Sequence, residues 1–271
     1  MSAHGDRTLD LASARRLHQR LRALGSETAP VGLLGAVLNE IGLAERYVSI
    51  QTPIGRVYVA FNGLRISGVA PAEDDAAFEQ IYRARTGRTA RRADDAPPEL
   101  LAAISRHLDG APADLDLDLH TLSEFERAVL LKALEIPRGE VRPYGWIARE
   151  IGRPGAVRAV GSALNKNPIP LLIPCHRVVR SDGQIGEYAF GSEMKRAILA
   201  SEGLDLERVE QLAQQGVRFV ADTSCQSFCL PTCYWVLQQP AEVLLPLRSL
   251  AAAREAGYRP CQDCRPVAVA V

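Results

Sequence analysis

From Tyr47 the chain runs in short apolar stretches: Tyr47-Val48-Ser49-Ile50, then Arg56-Val57-Tyr58-Val59-Ala60-Phe61, then Leu64-Arg65-Ile66-Ser67-Gly68-Val69. Thr52-Pro53-Ile54-Gly55 and Asn62-Gly63 separate them, and residues of these types supply hairpin turns, so the pattern predicts a β-meander. Ahead of it, Leu9, Leu11, Leu17 and Leu21, followed by a second piece around Leu33 to Ile41, read as helical. Behind it, the Arg- and Asp-rich stretch from Arg83 through Glu99 reads as a loop.

Helical spacing returns near Thr121. Thr121-Leu122-Ser123-Glu124-Phe125-Glu126 offers helix-start residues before the apolar series Phe125, Val129, Leu130 and Leu134. A second helix follows from Tyr144, with Ile147 and Ile151 on one face and Gly152 at its end. Arg153-Pro154-Gly155 then turns the chain into a helix from about Ala156 to Asn165, stopped by Pro168. At 100° per residue, Val157, Val160, Gly161 and Leu164 share one side of that helix, and Arg158, Ser162, Asn165 and Lys166 the other. The pattern is that of a helix-turn-helix with a polar, basic, low-bulk outer face suited to a DNA groove.

The next segment, Asn167-Pro168-Ile169-Pro170-Leu171-Leu172-Ile173-Pro174-Cys175-His176-Arg177-Val178-Val179, is apolar and fenced by prolines. It reads as a buried extended stretch that delivers Cys175 to one place. Neighbouring side chains of an extended stretch point to opposite faces, so His176 reaches the sulfur through a bridging water, an arrangement able to generate a thiolate. A Cys-His dipeptide by itself is more often a buried structural cysteine beside a hydrogen-bonded histidine, and only its surroundings change that balance.

Composition changes the picture in three ways. At 271 residues and 47% hydrophobic content the chain has room for two ordinary domains with cores of their own. No apolar run approaches the roughly 20 residues that span a bilayer, and the charged amphipathic start is unlike a signal peptide, so a soluble cytoplasmic protein is expected. The net charge is zero, yet Arg138 to Arg180 holds eight basic residues against two acidic ones, a local excess that brackets the Cys-His site and suggests phosphate contact. The six cysteines are not spaced as a disulfide framework: one stands at 175 and five crowd between 225 and 264.

The stretch from Ile136-Pro137-Arg138-Gly139-Glu140-Val141 through Ala159-Val160-Gly161 to Pro174-Cys175-His176-Arg177-Val178 resembles the signature of the O6-alkylguanine-DNA alkyltransferases, also called methylated-DNA–protein-cysteine methyltransferases. The likeness is continuous from about Leu119 to Gly203, and the Thr-Pro-Ile-Gly turn resembles the opening of that family's small N-terminal α/β domain. The resemblance implies irreversible transfer of an alkyl group from O6 of guanine in double-stranded DNA to Cys175, in one turnover and with no cofactor. It makes His176 the base acting through water, Glu202 the carboxylate that orients it, Tyr144 the proton donor to the leaving guanine, and Asn167 the tie between helix-turn-helix and active-site segment. Arg158 matches the arginine inserted into the base stack from the minor groove when the damaged base is flipped out, with Ala159, Ser162, Lys166 and Arg177 expected on the same DNA face. Val178, Tyr188 and Ala189 are expected to line the base pocket, although the family often has a small hydroxyl residue where Ala189 stands.

Cys229-Leu230-Pro231-Thr232-Cys233 and the later Cys261-Gln262-Asp263-Cys264 form two pairs with the spacing of a tetrahedral zinc-thiolate site. From about Phe219 to Pro266 this part resembles the metal-binding domain of Ada adaptive-response proteins, in which the first cysteine accepts a methyl group from a methylphosphotriester. Leu230 replaces the usual arginine after that first cysteine, and Thr223-Ser224-Cys225-Gln226 replaces an Arg-Thr-Thr-Gly stretch, which weakens the phosphate-holding equipment.

The expected protein is therefore α+β. It has a helical extension of unknown role at 1–45, a small N-terminal α/β domain at 46–118, a helical catalytic domain with a helix-turn-helix at 119–205, and a small module at 206–271. That module holds Zn2+ through Cys229, Cys233, Cys261 and Cys264. A monomer that binds damaged DNA and no membrane is expected. Two alternatives stand beside it. A non-catalytic damage-binding protein is disfavoured by the intact Cys175, His176 and Tyr144. Methylation sensing through the zinc module is disfavoured by a chain that ends soon after Cys264, leaving no place for an activator domain there, whereas methylphosphotriester repair at Cys229 stays open beside a structural zinc clasp.

Overall fold

Three strands, β1 (Glu45–Thr52), β2 (Gly55–Asn62) and β3 (Arg65–Pro71), form the expected antiparallel meander, with Val48 opposite Val59 and Val59 opposite Val69. The computed structural model describes residues 45–266, Pro53 apart, and the isolated positions Gln19 and Val37, so the helical reading of the chain ahead of Glu45 lies outside the described residues.

Both faces of this sheet are covered, which is why β2 reads as an almost unbroken apolar run. Val57, Val59 and Phe61 enter the main core, while Tyr58 and Ala60 face the helix α1 (Asp75–Thr86). There Phe78 stacks on Tyr58 with ring centres 5.0 Å apart and meets Tyr47 at 4.9 Å, each buried ring contributing about 2 kcal/mol of transfer free energy. Gly68 makes the approach possible, since a β-carbon there would lie 2.7 Å from the Tyr82 ring.

The loop expected from Arg83 through Glu99 is corrected. Its first residues are the last turn of α1, and Ala90–Arg92 is an edge strand, β4, pairing parallel with β1. Asp74 caps α1 by accepting from Ala77 N–H at 2.8 Å, and buried Tyr82 anchors its end. A three-residue strand with only Ala90 buried leaves too little hydrophobic pattern to be read. Helix α2 (Pro98–Leu108) follows, burying Leu100, Ala103 and Ile104.

The helices expected from Thr121 onward form close to where spacing placed them. Helix α3 (Glu124–Leu134) starts at a capping box in which Ser123 and Glu126 satisfy each other's backbone N–H groups, and it buries Val129 and Leu130 completely. Strand β5 (Arg142–Pro143) leads straight into α4 (Tyr144–Glu150), which ends at Gly152 with φ 70°, and a turn leads to α5 (Val157–Asn165). Val160, Ala163 and Leu164 are the buried face of α5; Val157, expected with them, is 41% exposed because it sits in the first turn, before the helix reaches the core.

The proline-fenced segment is not extended. Pro168, Pro170 and Pro174 have no N–H to offer a ladder, and the chain closes a tight turn instead, with Ile173 N–H on the Ile169 carbonyl at 2.9 Å and Leu171 at φ 75°. Cys175–Arg177 forms a 3-10 turn, and only Val178–Val179 is strand, β6, pairing parallel with β5. Helices α6 (Ser192–Ser201) and α7 (Leu206–Gln214) come next.

Residues beyond α7 build a second four-stranded sheet in the order β10-β8-β7-β9: β7 (Phe219–Asp222), β8 (Ser227–Cys229), β9 (Leu244–Leu247) and β10 (Arg259–Pro260). Short helices α8 (Tyr234–Leu237) and α9 (Leu250–Glu255) flank it. The main core runs without a break from Val48 and Val59, through Leu130, Trp146 and Val178, to Cys229, Cys233, Cys261 and Cys264. No helix among the described residues is long and apolar enough to cross a membrane.

Candidate active site and metal centre

Asn167 organises the turn that presents the cysteine. Its Nδ2 donates to the Ile173 carbonyl at 3.0 Å and to Cys175 Sγ at 3.2 Å, and its Oδ1 accepts from Ile169 N–H at 3.0 Å. The side chain thus replaces backbone partners that the prolines lack. Cys175 is 7% exposed. Burial pushes its thiol up, against the Asn167 hydrogen bond and the nearby charge of Lys195, so the resting sulfur is protonated and needs a base.

Successive residues of a 3-10 turn point about 120° apart, so His176 diverges from Cys175 as expected, though for a different geometric reason. His176 Nε2 lies 2.9 Å from Glu202 Oε1. A carboxylate can only accept, so Nε2 carries the proton and Nδ1 the lone pair. Nδ1 is buried and has no protein partner, leaving it free to receive a proton. Burial lowers the pKa of His176, only partly opposed by Glu202, and keeps the ring neutral.

Glu202 also accepts Arg177 Nε at 2.9 Å and Nη2 at 2.8 Å. Burial alone would raise its carboxyl, but the bonds from His176 and Arg177 outweigh burial and bring it down to about 2. Arg177 Nη1 donates to the Ile136 carbonyl at 2.7 Å, and the side chain is 12% exposed. The expectation that Arg177 belongs to a DNA face is therefore corrected: it turns inward onto Glu202 and the Ile136 carbonyl.

Tyr144 opens α4, and burial, followed by the Cys175 and Glu187 charges, raises its pKa, so the hydroxyl keeps its proton. Tyr188 meets His176 edge-on with ring centres 6.3 Å apart; its buried hydroxyl has no hydrogen-bond partner, and burial pushes its pKa well up. Val178 is fully buried, whereas Ala189 is exposed. On α5, Arg158, Ala159, Ser162 and Lys166 are all exposed, and Lys166 pairs with Glu126. The basic excess is less available than its count suggests. Arg142 pairs with Glu140 in the interior at 2.6 Å, Arg180 pairs with Asp182, and Arg138 and Arg149 bond backbone carbonyls. Arg153 and Arg158 are exposed without an ion pair among the described residues.

Two residues beside the site escaped the sequence reading. Lys195 is 1% exposed; its Nζ donates to the Val178 and Ile185 carbonyls, each at 2.7 Å, and burial brings its pKa down to about 8. It stands three and four residues before buried Ile198 and Leu199, so a lysine in register with an apolar helix face was the available signal. Arg85 of α1 lies over the Phe190 ring at 4.7 Å, and Phe190 in turn meets Tyr188 at 5.5 Å. Nothing local marks it, because the contact joins distant parts of the chain.

The four cysteines Cys229, Cys233, Cys261 and Cys264 are buried and free of disulfides, with sulfurs within 4.8 Å of one another. Four thiolates around zinc at about 2.3 Å form a tetrahedron of that compactness, so the donor set fits the metal. These four residues are the ones that would hold Zn2+, drawing together the loops that carry the two cysteine pairs.

Fold and site together define a protein with one buried thiol, next in sequence to a neutral histidine and packed with a two-helix unit, joined to a module with a four-cysteine cluster. Residues 124–204 match the model described as 6-O-methylguanine DNA methyltransferase, DNA binding domain, and residues 210–267 match the metal binding domain of Ada. The methylated-DNA–protein-cysteine methyltransferase of Mycobacterium tuberculosis is 37% identical over 159 residues, 58% of this chain and 91% of that protein. The enzyme of the same name from Methanothermobacter thermautotrophicus is 42% identical over 121 residues, 42% of this chain and 68% of its own. The bifunctional transcriptional activator/DNA repair enzyme Ada of Escherichia coli is 34% identical over 177 residues, 61% of this chain and 48% of Ada. The chain belongs to the methylated-DNA–protein-cysteine methyltransferase family, with an Ada-type metal-binding domain after the catalytic one.

Proposed function

We propose that this protein repairs DNA by direct reversal, moving an alkyl group from O6 of guanine in duplex DNA onto Cys175 in a single turnover. The observation that carries the reading is the site itself: a thiol held by Asn167 beside a neutral histidine with a free Nδ1 and a Glu202 partner. As the sulfur–carbon bond forms, the carbon–oxygen bond to guanine breaks. The thiol proton passes through water to His176, Tyr144 protonates the leaving base, and the proton held on His176 restores that of Tyr144. A thioether is not hydrolysed under ordinary conditions, so the protein is consumed. Intact mass after mixing with a duplex carrying O6-methylguanine should show one methyl in place of one hydrogen, once per chain; repeated turnover, or an unmodified protein, would refute the proposal.

In this reading α4 and α5 act as a helix-turn-helix that enters the minor groove, and Arg158 supports the flipped base. Residues 46–118 brace the catalytic residues 119–205, residues 206–271 are the zinc module, and the protein works as a monomer in the cytoplasm. The exposure of Arg158, which forms no ion pair among the described residues, supports this reading. Arg158→Ala should slow repair in duplex DNA roughly tenfold or more, since unstacking costs a few kcal/mol and each 1.36 kcal/mol is a factor of ten. Reaction with free O6-benzylguanine should be unchanged. Equal losses on both substrates would assign Arg158 to folding or chemistry.

The zinc module reads as a structural clasp and not as a second acceptor. Cys229 is 2% exposed, and Leu230 beside it is 6% exposed and offers a phosphotriester no side-chain donor.

A further inference from the structure

The two ligand loops of the zinc module hold the segment that carries Tyr144 at both of its ends. Thr232, which lies between Cys229 and Cys233, is 3% exposed, and its hydroxyl sits 3.1 Å from both the N–H and the carbonyl of Val141. At the other end, Trp146 Nε1 donates to the Cys264 carbonyl at 3.0 Å, and the indole is 2% exposed. Arg265, next to Cys264, lies over that indole at 5.4 Å and pairs with Glu150 at 3.1 Å, while Arg149 donates to the Pro266 carbonyl at 3.1 Å. Arg265 adopts φ 44°, a left-handed conformation that a side chain disfavours, so these contacts outweigh a local cost.

Between the two grips lie Arg142, Pro143, Tyr144 and Gly145. Arg142 and Pro143 pair with Val178 and Val179, directly after the Cys175 turn. On its far side the Tyr144 ring faces Gly161 of α5, where a β-carbon would stand 3.8 Å from it. We infer that Thr232 and Trp146 are positioning residues: through them the zinc knot sets where the Tyr144 hydroxyl stands relative to the Cys175 sulfur. The inference rests on the reading of Tyr144 as proton donor. Its chemical sense is that proton donor and nucleophile must meet one base from different elements, and a misplacement of about 1 Å can cost a hundredfold in rate. An intramolecular metal knot supplies rigidity that a two-residue strand followed by a seven-residue helix lacks alone.

The test uses the full zinc-loaded chain with Thr232→Val and Trp146→Phe, which remove the hydrogen bonds and leave the cysteines untouched, and Thr232→Ser, which keeps the hydroxyl. Both disruptive variants should retain one zinc per chain. Their backbone amides from Arg142 to Trp146 should exchange hydrogen at least tenfold faster, and duplex repair should slow about tenfold, while Thr232→Ser behaves as the parent. In a Tyr144→Phe background the same substitutions should cost less than twofold, because their effect passes through the lost hydroxyl. Equal losses in both backgrounds, or unchanged exchange together with a slow Tyr144→Phe, would overturn the positioning role alone. A Tyr144→Phe protein that repairs at the parental rate would remove the proton-donor reading and this inference with it.

Discussion

Cys175→Ala protein is expected to gain no methyl group from a duplex bearing O6-methylguanine and to leave the lesion intact. The sulfur is the only group of the site that is both nucleophilic and held in place by Asn167, and the remaining described cysteines are the four clustered ones and exposed Cys225. Removing one sulfur from a position that is 7% exposed leaves a small cavity, so the variant should fold and bind DNA. The same variant separates the two centres. Offered DNA with methylphosphotriesters and no O6-methylguanine, it should still acquire no methyl at Cys229, because that sulfur is buried beside a leucine that can hold no phosphate. Peptide mass mapping reads both outcomes. Demethylation of the guanine without Cys175 would remove the proposed mechanism, and a methyl on Cys229 would make this a two-centre repair protein.

Glu202→Gln should lower transfer at least a hundredfold and destabilise the fold in a pH-dependent way. An amide at this position cannot hold the Nε2 proton of His176 as a carboxylate does, and it leaves the Arg177 guanidinium without its bidentate partner, so base and support are lost together. Burial opposes ionisation of Glu202, but the bonds from His176 and Arg177 outweigh it and depress the folded carboxyl from 4.5 to about 2. A depressed carboxylate contributes stability that is fully present above pH 4.5 and is lost as pH falls towards 2. At 1.36 kcal/mol per pH unit that contribution is about 3 kcal/mol. Urea unfolding of parent and variant should therefore differ by about 3 kcal/mol at pH 7 and converge as the pH approaches 2. A constant difference across that range would show that the carboxylate does not carry the effect.

Periodicity and turn chemistry alone determined a good part of this molecule. The meander, a helix start within Thr121–Glu126, the helix stop at Gly152 and the two-helix unit followed from spacing, because each rests on residues within one turn or one hairpin of each other. The paired cysteines marked a metal site for the same reason, since each pair closes a short loop on one ion. Cys175 and His176 stood out in their own segment and the resemblance added Glu202 and Asn167; in the structure His176 bonds Glu202 and Asn167 bonds the sulfur.

What periodicity could not reach was decided by contacts between distant segments. The proline-fenced run has the hydrophobicity of a strand, but its missing N–H groups and the Asn167 side chain close it into a turn. Arg177 looks like any exposed cation in sequence, and only the approach of Glu202 from the end of α6 draws it inward. Edge strand β4 exists because β1 offers it a ladder, not because its own residues demand one. The docking of the zinc loops on Val141 and Trp146 likewise joins positions more than ninety residues apart. Local pattern therefore determined which elements form and which chemistry they carry, and tertiary packing decided which charges are neutralised, which backbone is bent and what holds Tyr144, because desolvation and hydrogen bonding depend on neighbours in space.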